Sequence, residues 1–149
     1  MTEVLLYHLD RQPLERVLPV LIGRTLARGW RAVVQAGSAE RVEAISAALW
    51  TTGEETFLPH GTARDGNADL QPVWITTASD NPNGARVRFM VDGEFASDFA
   101  DLDRVIFMFD GRDEEACERA KQVWQDAKTQ GHDATYWQQD ETGRWQKQA

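Results

Sequence analysis

Arg104 to Gly131 reads RVIFMFDGRDEEACERAKQVWQDAKTQG, and this stretch decides the fold class. Val105 to Phe109 is an unbroken apolar run closed by an Asp-Gly pair, the pattern of a strand buried on both faces. A helix follows. Asp113 is placed to cap it, Glu114 and Glu115 put carboxylates in its first turn where the helix dipole favours them, and Lys128 falls in its last turn. Gly131 is placed to end it. A buried strand, a tight turn and a helix make half of a βαβ unit, so an α/β sheet centred on this strand is expected.

The helix has a readable face. At about 100° per residue, Ala116, Ala120, Val123 and Ala127 share one stripe, small enough to let the helix lie close on the sheet. Trp124 and Cys117 border that stripe, Lys121 and Lys128 come next, and Glu115, Arg119, Gln122 and Asp126 take the opposite, solvated side. Two readings stand for the rim tryptophan. In the first, favoured on composition alone, Trp124 covers the core edge and the lysine stems lie over it. In the second, an indole beside two cations is a site for a ligand that carries both an apolar group and a negative charge.

Towards the start of the chain, Val4 to Leu9 reads as a strand ended by Asp10, and Pro13 to Arg28 as a helix with Leu14, Val17, Leu18, Leu21, Ile22 and Leu26 in helical period. Pro19 removes an internal hydrogen bond and is expected to kink or divide that helix; Gly29 closes it. Trp30 to Ala36 is the second strand. Ser38 then caps a helix that runs through Val42, Ile45 and Leu49 to Trp50. The middle of the chain, TTGEETFLPHGTARDGNADLQPVWIT, is full of turn residues and ends in a short strand, Val73 to Thr76. Asp80 to Gly84 signals a turn, and Ala85 to Val91 is a strand with Val87, Phe89 and Val91 on one face, so the two strands are expected to pair as an antiparallel hairpin. Ala134 to Gln139 is a last strand, followed by a tail that is polar apart from Trp145. No internal repeat, low-complexity tract or long linker interrupts the chain, so residues 1–149 are expected to form one domain.

Composition narrows the function. With 149 residues, 42% of them hydrophobic, only 5 Pro and 11 Gly, the chain is globular. A net charge of −8 argues against a general DNA or RNA binder, since affinity for a phosphate backbone comes from clustered Lys and Arg, so any basic site must be local. Direct binding of single-stranded DNA through the six tryptophans fits the aromatic content but conflicts with that charge. The opening MTEVLLYHLD has no charged segment followed by a long apolar one, and no run reaches the roughly 18 apolar residues of a membrane span, so a cytoplasmic protein without membrane partners is expected. Cys117, the single cysteine, cannot form an internal disulfide and lacks zinc-ligand partners, which leaves the role of a small buried hydrophobe.

Enzyme chemistry finds little footing. VIFMFDG resembles the metal-binding half of a nucleotide-hydrolysing site, but the chain contains no Gly-Lys pair, hence no GxxxxGK[ST], and no GxGxxG after a strand. Asp110 is then a turn residue. His8, His60 and His132 lie far apart and outside any ligand pattern, and Ser38 and Cys117 lack a nucleophile context. No catalytic residue, cofactor or metal is expected. Phe57 and Leu58 of FLPHG sit in a polar loop, where they either anchor the loop on the core, the favoured alternative, or line a binding pocket.

GWRAVVQAG, ALWTTGEETFLPHGTA, QPVWITT, NPNGARVRFMVDG and FDGRDEEACERAKQVWQDAKTQGHDATYWQQDETGRW together resemble the chi subunit of bacterial DNA polymerase III, a component of the clamp-loader assembly, over nearly the whole chain. The resemblance implies a single-domain three-layer α/β/α Rossmann-like fold, mostly parallel, without catalysis. It implies an adaptor in DNA replication, a subunit of a DNA polymerase holoenzyme. That adaptor binds the acidic C-terminal tail of single-stranded-DNA-binding protein and the psi subunit where one exists, and meets DNA only indirectly. The tail ends in an apolar pair closed by phenylalanine and its carboxylate, so its receptor needs a hydrophobic slot beside cations. Position by position, Phe57, Lys121 and Trp124 match family residues that line this pocket, which reverses the readings above. Gln125 stands where many members carry a second basic residue, with Lys128, one turn on, placed to substitute. The competing reading is a nucleotide-binding α/β enzyme lacking a standard phosphate loop.

Overall fold

The computed structural model describes residues 2–10, 12–50, 60–63, 65–78, 80–92 and 102–148. Its strands are β1 (Glu3–Leu9), β2 (Ala32–Gln35), β3 (Val73–Thr76), β4 (Val87–Met90), β5 (Arg104–Asp110), β6 (Asp133–Gln139) and β7 (Trp145–Lys147). The helices are α1 (Leu14–Ala27), α2 (Ala39–Trp50) and α3 (Glu114–Thr129), with a short 3-10 turn at Ala68–Leu70. All seven strands form one sheet in the order β3-β2-β4-β5-β1-β6-β7. Every pair is parallel except β6 with β7. The fold is α/β, a three-layer sandwich with α1 and α2 on one face of the sheet and α3 on the other.

Alternation along β1 divides the core. Leu5 and Leu9 face α1 and α2 together with Leu18, Ile22, Ile45 and Phe89, while Val4 and Leu6 join Val105, Phe107 and Phe109 beneath α3. β5 is apolar on both sides because both sides are covered, as the unbroken run requires.

The helix ends follow the sequence signals closely. Asp113 accepts the backbone N–H groups of Glu115 and Ala116 at 3.1 and 3.2 Å, and the Ser38 hydroxyl accepts that of Arg41 at 3.2 Å. At the other ends of α1 and α3, Gly29 and Gly131 take φ values of 79° and 83°. The residue after each glycine returns its N–H to the carbonyl of Thr25 or Ala127, the Schellman arrangement that only glycine enters without strain. Pro19 does not divide α1, which is continuous from Leu14 to Ala27. The lost hydrogen bond is outweighed by burial, since Pro19 itself lies on the core side between Leu18 and Leu21.

One expectation is corrected. Val73–Thr76 and Val87–Met90 do not pair as an antiparallel hairpin; β2 lies between them and pairs with both in parallel. The reason lies in Arg88. What reads as the polar side of an alternating strand is a guanidinium 6% exposed, which donates to Gln35 Oε1 at 2.9 Å and to the carbonyls of Asp80 and Ala78 at 2.8 and 2.6 Å. β4 is buried on both faces and takes an interior position. The antiparallel hairpin exists at the other edge, between β6 and β7. Asp140 caps its turn by accepting from the N–H groups of Thr142 and Arg144 at 2.8 and 3.0 Å, and Trp145, in the tail that is otherwise polar, packs edge-on to Tyr7.

Candidate functional site

The residues singled out on α3 lie as the helical period requires. Ala116, Ala120, Val123 and Ala127 are buried against the sheet, and Trp124 and Cys117 are half-buried along one border. Lys128 places its Nζ 5.1 Å from the Trp124 ring centroid, in cation–π contact. Lys121 is exposed and makes no ion pair among the described residues. It is close enough to Cys117 to pull the thiol pKa down, against burial, which dominates and pushes it up. Gln125 is exposed one turn after Lys121, its carbonyl accepting the Thr129 hydroxyl at 3.0 Å. Phe57 lies outside the described residues.

The indole Nε1 of Trp124 is buried and has no hydrogen-bond partner among the described residues. A buried donor left unmade costs about 1–3 kcal/mol, so the ring is held by packing and by Lys128 rather than by a polar anchor.

Beneath the start of α3 the packing is tight for a sequence reason. Gly111 lies over the His8 ring so closely that a Cβ at this position would collide with it. The His8 Nδ1 and the Tyr136 hydroxyl share a hydrogen bond of 2.9 Å, both rings pack edge-to-face against Phe109, and the Cys117 Sγ–H points to the Gly111 carbonyl at 3.5 Å. Burial, then the neighbouring Cys117 and Asp10, push the Tyr136 hydroxyl up to about 12. Tyr136 was singled out by no sequence argument; only its β6 position beneath the helix, set by register with Leu6, reveals it.

A second concavity opens at the carboxyl ends of β1 and β5, where the chain leaves for opposite faces of the sheet, the usual place for a ligand in an open α/β fold. It encloses about 540 Å³ between Leu9, Pro13, Met108, Phe109 and the first turns of α1 and α3. Its ionised lining is mostly acidic: Asp10, Glu15, Asp92, Asp110 and Asp113. Both of its arginines are engaged. Arg41 binds Glu15 at 3.0 Å and Asp92 at 2.8 Å, and Arg112 binds Asp110 at 3.2 Å. The N–H of Arg112 and then its guanidinium hold the Asp110 carboxyl below the usual carboxylate range; Asp110 is the last residue of β5 rather than part of the turn, and its side chain braces the turn of Gly111 and Arg112 that follows. Such a lining repels the phosphates of a nucleotide. Among the described residues, no group of His, Cys, Asp and Glu is gathered for a metal ion, and no helix is long and apolar enough to cross a membrane.

Known proteins resemble this chain along most of its length. The model of a family described as DNA polymerase III chi subunit, HolC, matches residues 1–135. A protein of Rickettsia prowazekii (strain Madrid E) named probable DNA polymerase III subunit chi is 26% identical over 91 residues, which cover 61% of this chain and 55% of that protein. The chain thus spans about half the length of this relative.

Proposed function

This chain belongs to the DNA polymerase III chi subunit family, and we propose that it is a non-catalytic adaptor of the DNA polymerase III holoenzyme in DNA replication. It links the clamp-loader complex to single-stranded-DNA-binding protein by holding that protein's acidic C-terminal tail, works in the cytoplasm as one domain, binds a psi subunit where one is present, and reaches DNA through its partner. The observation that carries this reading is the border of α3, where a half-buried indole stands beside a buried small-residue stripe with the Lys128 ammonium 5.1 Å from its ring. Lys121, exposed one turn before, supplies a second cation, with no ion pair among the described residues. An apolar side chain of the tail packs beside Trp124, and its carboxylates meet Lys121 and Lys128. Among the described residues the indole has no polar anchor to hold it against rotation towards such a guest.

Calorimetric titration with an acidic, phenylalanine-ended peptide tests it. Trp124→Ala should weaken binding by about 2 kcal/mol, the scale for losing a buried aromatic anchor. Lys121→Ala should cost about 1–2 kcal/mol and make the salt dependence shallower, because it removes a charge-assisted contact. Gln125→Lys should tighten binding modestly, since this position neighbours Lys121. Unchanged affinity in both alanine variants would place the tail elsewhere.

The competing reading, a nucleotide-binding enzyme, would use the crevice beyond β1 and β5. Its acidic lining and its engaged arginines favour the adaptor. Stabilisation by ATP and not by the peptide, in a thermal-shift comparison, would reverse that preference.

A further inference from the structure

The sheet face that carries α1 and α2 changes character past β1. There α1 packs on β2 and α2, and α2 on β3. Over β6 and β7 the covering is made of aromatic rings instead: Tyr7, Trp137 and Trp145 pack against the margin of this core and stay partly exposed. Tyr7 and Trp137 are register neighbours on adjacent strands, their planes 15° apart and their centroids 6.5 Å apart, and Trp145 meets Tyr7 edge-on at 4.8 Å. Lys147 is exposed opposite Trp137 on β7.

Cations border the rings. Arg24 and Arg104 both act electrostatically on the Tyr7 hydroxyl. Arg104 and Arg28 lie over Trp30, 5.8 and 5.3 Å from its centroid. The carboxylates at the strand starts are Glu3 and Asp133, and Glu3 is held by Arg104 at 3.3 Å; at the far ends of the strands stand Asp10, which accepts from Gln138, and the turn residues Asp140, which accepts from Gln146, and Glu141. The Arg104 Nε is buried without a hydrogen-bond partner among the described residues. A chain of net charge −8 therefore carries, on one margin, a row of aromatic rings edged by Arg24, Arg28, Arg104 and Lys147.

We infer that this margin is a weak docking surface for single-stranded nucleic acid, with successive bases against Tyr7, Trp137 and Trp145 and the phosphates against the bordering cations. An acidic peptide would match the charge, but rings spread over three strands suit a chain of flat bases, each with a π face, better than they suit one apolar side chain in one slot. The overall negative charge keeps the affinity low and salt-sensitive. This goes beyond the adaptor reading and lies on the opposite face of the sheet from α3. An adaptor tethered to a partner that coats single strands would meet them at high effective concentration, so a weak site suffices.

Fluorescence anisotropy with a short labelled oligothymidylate tests it on the whole chain. Saturable binding is expected at low salt, weakening about tenfold or more at physiological salt. Arg24→Glu, at an exposed helical position, should weaken it about tenfold by reversing a phosphate contact, and Trp137→Ala by a similar factor through lost stacking. An abasic oligomer of equal length should bind about tenfold more weakly than the thymidylate. Absence of binding at low salt, equal binding of the abasic oligomer, or wild-type affinity in Arg24→Glu would overturn the inference. Displacement of the oligomer by an acidic, phenylalanine-ended peptide from wild type and Arg24→Glu alike would also overturn it. Arg24→Glu should keep wild-type affinity for that peptide, so this inference and the adaptor reading fail separately.

Discussion

The two faces of the sheet are built from different side chains. On one, α1 and α2 bring Leu14, Val17, Leu18, Leu21, Ile22, Val42, Ile45 and Leu49; on the other, α3 brings three alanines and a valine, Ala116, Ala120, Val123 and Ala127. Large side chains hold a helix away from the strands and fill the space between. Small ones let the backbone settle close, so less apolar surface is buried per turn and the flank of the helix stays open. The rim where Trp124 sits follows from that choice. A helix seated on alanines presents its border residues to solvent, and its stability leans more on its caps.

The largest expected effect is on the first face. Ile22 is fully buried, and Ile22→Ala should destabilise the fold by about 3 kcal/mol, loss of transfer energy plus a cavity. Val123→Ala on α3 removes fewer carbon atoms from the core stripe and should cost about 1 kcal/mol. Urea midpoints measured on both, at unchanged slope, check the ratio; equal losses would mean that the faces contribute alike.

Enlarging a side chain sharpens the contrast from the opposite direction. Ala120 has no exposed surface between α3 and the sheet, so Ala120→Leu should cost about 2 kcal/mol through overpacking. The same denaturation series reads it, and a stabilised variant would show that α3 does not sit close. Capping comes next. Asp113 satisfies two N–H groups of α3, whereas Pro13 at the start of α1 offers no side-chain bond. Asp113→Ala should cost about 1 kcal/mol and lower the Trp124→Ala effect on peptide binding no further than additivity allows. A loss under a few tenths would mean that the close seating of α3 alone holds it.

These contrasts were partly legible in the residues. The α3 stripe, its Asp113 cap and the terminal Gly29 and Gly131 could be read because each depends on neighbours within one or two turns. The place of β2 between β3 and β4 could not, because strand order is a non-local outcome and Asp80 to Gly84 signals only that the chain turns. Arg88 hid the truth further, since a buried arginine satisfied by Gln35 and two carbonyls looks the same in sequence as a solvated one. The β6–β7 hairpin left a signal in Asp140 to Gly143, between YWQQ and RWQ, outvoted by the polarity of the tail. For the candidate site, Lys121, Trp124 and Lys128 could be placed relative to one another by period alone. Tyr136 could not, because it reaches the helix through strand register.

The smallest effect separates the faces by their two tyrosines. Both hydroxyls are pushed up by burial. Tyr7, on the α1 face, is partly pulled back by Arg104 and Arg24, whereas Tyr136, beneath α3, has Cys117 and Asp10 beside it and reaches about 12. An unfolded chain releases a phenol proton near pH 10. Below that value both states hold the proton and stability does not change. Above it the unfolded chain ionises first, so stability falls as pH rises, and the fall due to Tyr136 ends only near its folded value of about 12. Tyr136→Phe loses the hydrogen bond to His8 at every pH, a constant offset, but should flatten the slope of the denaturation midpoint between pH 10 and 12 more than Tyr7→Phe does. Ultraviolet titration of the folded chain should show two phenolate steps, the later one removed by Tyr136→Phe. A single shared step would mean that the arginines of the α1 face do not reach Tyr7, and the electrostatic difference between the two faces would be gone.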